Sequence, residues 1–100
     1  MHIVSLKMLR DFWKKHPEAE QPLRNWHTIA EHSGFTDFTE LKQSFRSADY
    51  VPPSTVFDVG GNNFRVVVIV LDRDGKMFVR WVMTHREYDN WCKLYRKGKV

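Results

Sequence analysis

Residues Thr84 to Asp89, Thr-His-Arg-Glu-Tyr-Asp, follow directly on a sheet-forming run, Met77 to Met83. Such a short stretch is dense in groups that move protons or hold charge. Thr84 and Glu87 have the Thr-x-x-Glu spacing of a capping box, which predicts a helix beginning near His85. That accounts for two residues and leaves His85 and Tyr88, three apart and so on one face of such a helix. Upstream, Asp58 and Arg65 flank a Gly-Gly-Asn-Asn turn. An arginine can hold a phosphate bidentately. A histidine titrates near neutral pH and can move a proton, and a tyrosine can stack on a base or orient a phosphate. Asp58, Arg65, His85 and Tyr88 together are equipped for cleavage of an RNA phosphodiester, whose own 2′-hydroxyl is the nucleophile. That reaction needs charge stabilisation, a base and an acid, and no metal. Each residue also has a plainer reading: a cross-strand Asp58–Arg65 ion pair, a surface histidine at a helix start, a core tyrosine.

The elements that must position these groups can be read from periodicity. "HIVS" is a short apolar start, read as an edge strand. Leu6, Leu9, Phe12 and Trp13 make one helical stripe, which His16-Pro17 ends. Pro17 suits the first turn of the next helix, whose stripe is Ala19, Leu23, Trp26 and Ala30 and whose end is Ser33-Gly34, the glycine being read as a left-handed cap. Asp37 and Glu40 have capping-box spacing for a third helix carrying Phe38, Leu41 and Phe45. "DYVPPST" reads as a rigid extended connection. "TVFDV" and "FRVVVIVL" flank Gly61-Asn62, read as the central pair of a tight hairpin turn with positive φ at both. Asp74-Gly75 reads as a second two-residue turn into "MFVRWVM". Helices first and strands second predict an α+β domain spanning residues 1–100, with the N-terminal helices on one face of a small antiparallel sheet.

These turns set registers. Asp58 falls opposite Arg65 and Val56 opposite Val67; Ile69 falls opposite Arg80 and Arg65 opposite Thr84. Alternation then assigns Phe57, Phe64, Val66, Val68, Val70, Met77, Val79, Trp81 and Met83 to the core face. Asp58, Arg65, Val67, Ile69, Arg80, Val82 and Thr84 go to the other, with Asp58, Arg65 and Thr84 side by side on adjacent strands.

Composition sets the outer bounds. One hundred residues with 42% hydrophobic and 14% aromatic content suit one modest core. The lone cysteine, Cys92, excludes an internal disulfide framework and points to a reducing, cytoplasmic home; it reads as a small buried apolar residue. No run approaches the ~20 apolar residues of a membrane span, and the start of the chain does not read as a signal peptide. His2, His16, His27 and His32 with His85 lack zinc-ligand spacing, so no metal and no cofactor is expected. The net charge of +4 and pI of about 9.4 suit an anionic partner. Lys93, Arg96, Lys97 and Lys99 lie in the last ten residues with no acidic neighbour; Lys93, Arg96 and Lys97, with Arg80 and Arg86, are the candidate RNA contacts. Trp13, Trp26 and Trp81 read as packing, and Trp91 as packing against the C-terminal element.

The residues that carry the chemistry also carry a likeness. "VFDVGGNNFRVVVIV" resembles the Phe-Asn/Asp-Ile/Val-Gly-Gly-Asn-x-x-Arg hairpin of the HigB toxins, a branch of the RelE-like mRNA interferases, and "THREYD" resembles their Thr-His-x-Glu-Tyr-Asp motif. "MHIVS", "LRDFWKKHPEAEQPLRNWH" and "SADYV" resemble the family's helical half, so the likeness runs from Met1 to about Asp89. It implies a RelE-like fold and a small toxin of a type II toxin–antitoxin system. Such a toxin cleaves mRNA, generally on translating ribosomes, and stops growth. It is held inactive by a HigA-type helix-turn-helix antitoxin, in a hetero-oligomer that binds DNA through the antitoxin. The site is implied on the sheet face away from the helices, with Arg65 in the position of the family arginine and His85 in that of the residue assisting the leaving group. Asp58 stands where relatives outside this branch place a lysine as base, and Asn63 where members often carry lysine. The same fold without competent acid–base groups would be a non-catalytic RNA- or ribosome-binding module.

Overall fold

The computed structural model describes residues 1–34 and 37–100 of the chain. Strand β1 (His2–Val4) leads into helix α1 (Leu6–Lys15). A 3-10 turn at Pro17–Ala19 opens α2 (Glu20–Glu31), and α3 (Phe38–Ser44) follows. Then come β2 (Asp49–Val51), β3 (Ser54–Val59), β4 (Phe64–Leu71), β5 (Lys76–Thr84) and α4 (His85–Arg96). The five strands form one sheet in the order β1-β5-β4-β3-β2. β1 runs parallel to β5 and the other pairs are antiparallel, so the sheet is mixed. Among the described residues no helix is long and apolar enough to cross a membrane.

The helices form where the stripes and caps place them. His16 and Pro17 end α1. The Asp37 side chain accepts from the Glu40 N–H at 2.9 Å and caps α3. Gly34 does not take the left-handed conformation expected of it; α2 closes instead through N–H bonds of His32 to Thr28 and of Ser33 to Ala30. "DYV" is more than a connection. Its extended backbone pairs with β3 as an edge strand, and Pro52-Pro53 turns the chain between the two. In the β3–β4 turn Gly60 and Gly61 both have φ of +66°, while Asn62 stays out of that region. A Cβ on Gly60 would also come within 3.1 Å of the Phe64 ring.

The β3–β4 register is the expected one, with Asp58 opposite Arg65 and Val56 opposite Val67. The β4–β5 register is not. Leu71 pairs with Lys76, so the connection holds four residues rather than two, with a 3-10 turn at Asp72–Asp74. Ile69 therefore lies opposite Phe78, not Arg80. A β-bulge follows: Val67 faces Trp81 and Val68 faces Val79, which leaves Arg80 unpaired. One extra residue on a strand reverses the alternation beyond it. Arg65 thus faces Met83, and Thr84 falls beside Phe64.

This reversal gives the protein two cores. The first lies between α1–α3 and the sheet and is built around Leu9, Leu23, Trp26, Phe57, Val66 and Met77. The Phe57 ring sits 5.4 Å from Trp26 and 4.8 Å from Phe45. Burying a side chain of this size stabilises by roughly 1.5–3 kcal/mol. The second core lies on the opposite face, where Val56, Val67, Met83 and Trp91 are buried with Trp81, Tyr88 and Tyr95 around them. Trp81 and Met83 belong here and not to the first core, whereas Val82 packs on the first. The second core is the seat of α4.

Candidate active site

β3 and β4 carry Asp58 and Arg65 onto the α4 side of the sheet as a directly opposed pair. The Arg65 Nε–H meets Asp58 Oδ1 at 3.0 Å, with the arginine side chain 8% and the aspartate 26% exposed. Arg65 is therefore buried, where a place on an open sheet face had been expected. Its Nη1 donates to the carbonyls of Asn62 (3.2 Å) and Phe64 (3.0 Å), and its Nη2 donates to Asn62 Oδ1 at 2.7 Å. A guanidinium has five N–H bonds. Three are hydrogen-bonded and Nε is engaged in the ion pair with Asp58, so among the described residues one N–H is left, on Nη2. As arranged, Arg65 can offer a phosphate one direct hydrogen bond and its charge rather than a bidentate grip.

Tyr88 closes the other side of this group. The Arg65 Cζ lies 5.4 Å from the centre of its ring, a cation–π contact. The ring is in turn stacked on Trp91, at 5.7 Å and 17°. Trp91 stacks on Tyr95 and meets Trp81 edge-on, so the aromatic row runs the length of α4. Burial raises the Tyr88 pKa far above the ordinary tyrosine value, and a hydrogen bond to Cys92 and the nearby charge of Asp49 add to this. Arg65 pulls the other way and is outweighed. Tyr88 is therefore a neutral phenol at physiological pH, a donor and a stacking surface rather than a base.

Thr84 and Glu87 form the expected capping box. The Glu87 N–H donates to Thr84 Oγ1 at 3.2 Å, and the Thr84 N–H donates to the Glu87 carboxylate at 2.9 Å. The cap fixes the first turn of α4 and with it His85. The His85 backbone N–H donates to the Asn63 carbonyl at 2.9 Å, which ties the β3–β4 turn to the start of α4. The imidazole is exposed, and its Nδ1 lies 3.3 Å from Asp89 Oδ2. Asp89 thereby orients the ring and leaves Nε2 open. The structure brings Asp58, Arg65 and Tyr88 into contact. It sets His85 at the rim, where among the described residues no hydrogen bond or ion pair links it to the other three.

The basic residues distribute unevenly. Tyr88, Trp91, Cys92 and Tyr95 face the sheet. At 100° per residue, Arg86, Lys93 and Lys97 then lie on the opposite, outward side of α4, and Arg96 lies on the flank of His85 and Asp89. All four are exposed. Arg80, exposed at the bulge, has its guanidinium 5.4 Å from the centre of the Trp81 ring. It lines a cavity of about 140 Å³ with Ile69, Trp81, Trp91 and Tyr95.

Two partners escaped the sequence reading. Asp89 stands four residues after His85, a spacing at which side chains meet on a helix, and could have been found. Asn62 was read only as a turn former, because its contact with Arg65 depends on how the hairpin folds back.

The model of HigB_toxin, the RelE-like toxic component of a toxin–antitoxin system, matches residues 19–91. The chain is 37% identical to the mRNA interferase toxin HigB of Escherichia coli K12, over 99% of each chain. It is equally similar to the mRNA interferase HigB of Shigella flexneri, and 29% identical to that of Escherichia coli O6:H1. With motifs, fold and matches in agreement, the chain belongs to the HigB family of RelE-like toxins.

Proposed function

We propose that residues 1–100 act as one toxin unit, an mRNA endonuclease that cuts translated mRNA on the ribosome. Growth stops as a result. The observation that carries this reading is the Asp58–Arg65–Tyr88 group beside a capped helix start bearing His85, in a chain whose full-length relatives are named mRNA interferases. The 2′-oxygen attacks the adjacent phosphorus, and the bond from phosphorus to the 5′-oxygen breaks. A 2′,3′-cyclic phosphate and a free 5′-hydroxyl result. Arg65 stabilises the charge that builds on the phosphate through its charge and its one free N–H. His85 protonates the leaving 5′-oxygen from Nε2. Asp58 takes the 2′-proton on the carboxylate oxygen that does not hold Arg65. Tyr88 orients the phosphate or stacks on a base. Arg80, Arg86, Lys93, Arg96 and Lys97 draw in the RNA backbone.

The same reading gives the protein a cytoplasmic site of action and a HigA-type helix-turn-helix antitoxin as its partner. The complex is a hetero-oligomer that binds DNA through the antitoxin. Induced expression with and without the antitoxin gene, followed by primer extension on a cellular mRNA, tests this. New 5′ ends and growth arrest are expected only without the antitoxin. Growth arrest without new ends would favour a non-catalytic ribosome-binding module.

A further inference from the structure

The β3–β4 turn does more than reverse the chain. Asn62 receives two of the three hydrogen bonds of Arg65, one on its carbonyl and one, at 2.7 Å, on its side-chain oxygen. The next residue, Asn63, accepts the backbone N–H of His85 through its carbonyl. One turn therefore holds both the charge-bearing arginine and the residue at the rim. The Oδ1 contact matters most for Arg65. It occupies one N–H of Nη2, and since the guanidinium is planar it fixes where the other points. Without it Arg65 keeps Asp58 on Nε and the two carbonyls on Nη1, and Nη2 has no acceptor among the described residues. Asn62 itself is exposed and packs on neither core, so its side chain adds little to burial.

We propose that Asn62 is a positioning residue for the cleavage assigned above, one that aims the remaining N–H of Arg65 at the scissile phosphate; this rests on the endonuclease reading. The backbone half of the clamp survives any substitution at 62, so the side-chain half can be isolated. Asn62→Ala removes the acceptor, and Asn62→Asp retains one. Two measurements on the full chain test the role. In nitrogen-15 spectra the Arg65 guanidinium should rotate slowly in the parent and in Asn62→Asp, and measurably faster in Asn62→Ala, where the Nη2 tether is lost. In single-turnover cleavage on programmed ribosomes, Asn62→Ala should lower the saturating rate by about tenfold to a hundredfold, as loss of aim does. The half-saturating concentration should stay near the parent value, and so should the melting temperature. In an Arg65→Lys background the same substitution should cost less than about twofold, because its effect passes through the arginine. Unchanged Arg65 signals in Asn62→Ala would overturn the proposal. So would an equal loss of rate in the Arg65→Lys background. A parent protein that cuts no RNA would sink the endonuclease reading instead, and the spectra would still decide whether Asn62 holds Arg65.

Discussion

Replacing Arg65 by alanine should destabilise the protein as well as silence it. The side chain is 8% exposed and bonds to four acceptors: Asp58, the carbonyls of Asn62 and Phe64, and Asn62 Oδ1. Removing it strands a half-buried carboxylate and takes the cation from the Tyr88 ring. Breaking a buried ion pair from one side costs about 3–5 kcal/mol. Asp58 is a quarter exposed and would regain some water, so about 2–4 kcal/mol is the figure for this site. That is a large share of a stability of roughly 5–15 kcal/mol. The assay is urea unfolding followed by tryptophan fluorescence, for Arg65→Ala, Asp58→Ala and the double variant. The double variant should lose at least about 1 kcal/mol less than the two single losses combined, because no charge is left alone. A loss under about 0.5 kcal/mol for Arg65→Ala, the range of ordinary surface changes, with strict additivity in the double variant, would refute the clamp. Loss of toxicity in Arg65→Ala therefore has to be read beside its melting curve, and Arg65→Lys is the cleaner probe of chemistry.

Four further outcomes follow from the site. His85→Ala should keep its melting temperature, since the ring is exposed, yet cut single-turnover cleavage about a hundredfold. Thr84→Ala should cost about 0.5–2 kcal/mol of stability through loss of the cap, and a variant that melts at the parent's temperature would show that the cap is dispensable. Tyr88 has its pKa raised in the folded state, so its stabilisation is complete below the unfolded value of about 10 and is lost as pH rises beyond it. Melting temperatures should thus fall more steeply above pH of about 10 in the parent than in Tyr88→Phe, and identical slopes would mean the hydroxyl is not buried as described. Arg80→Ala should make RNA binding less dependent on salt; an unchanged slope would leave Arg80 as a cover for Trp81.

Much of this was legible from residue order. The helical stripes, the caps at Asp37 and Thr84, and the Asp58–Arg65 pairing follow from short-range rules, because a cap or a two-residue turn is decided within a few positions. The failures share one cause. The β4–β5 register rested on counting through Asp74-Gly75, and Asp-Gly suits a four-residue connection as well as a two-residue one. The bulge at Arg80 then added a displacement that leaves no mark in a strand reading Met-Phe-Val-Arg-Trp-Val-Met, where nearly every position is apolar and either alternation fits. Misplacing Trp81 and Met83 hid the second core, and that in turn made Arg65 look open to solvent. Its burial depends on a helix seated by residues far from it in sequence.

The parallel pairing of β1 with β5 has a consequence for how the chain is made. His2 lies beside Lys76, so β1 waits for a neighbour synthesised 74 positions later. At common elongation rates that interval is roughly 4 to 15 seconds. Pairings so distant along the chain are also slow to form. α4, which brings His85 and Tyr88, comes later still. The ribosome that builds this toxin therefore carries an unfinished sheet, in which Asp58, Asn62 and Arg65 are made before His85 and Tyr88. A nascent chain cut short anywhere before α4 would lack both the rim histidine and the aromatic seat.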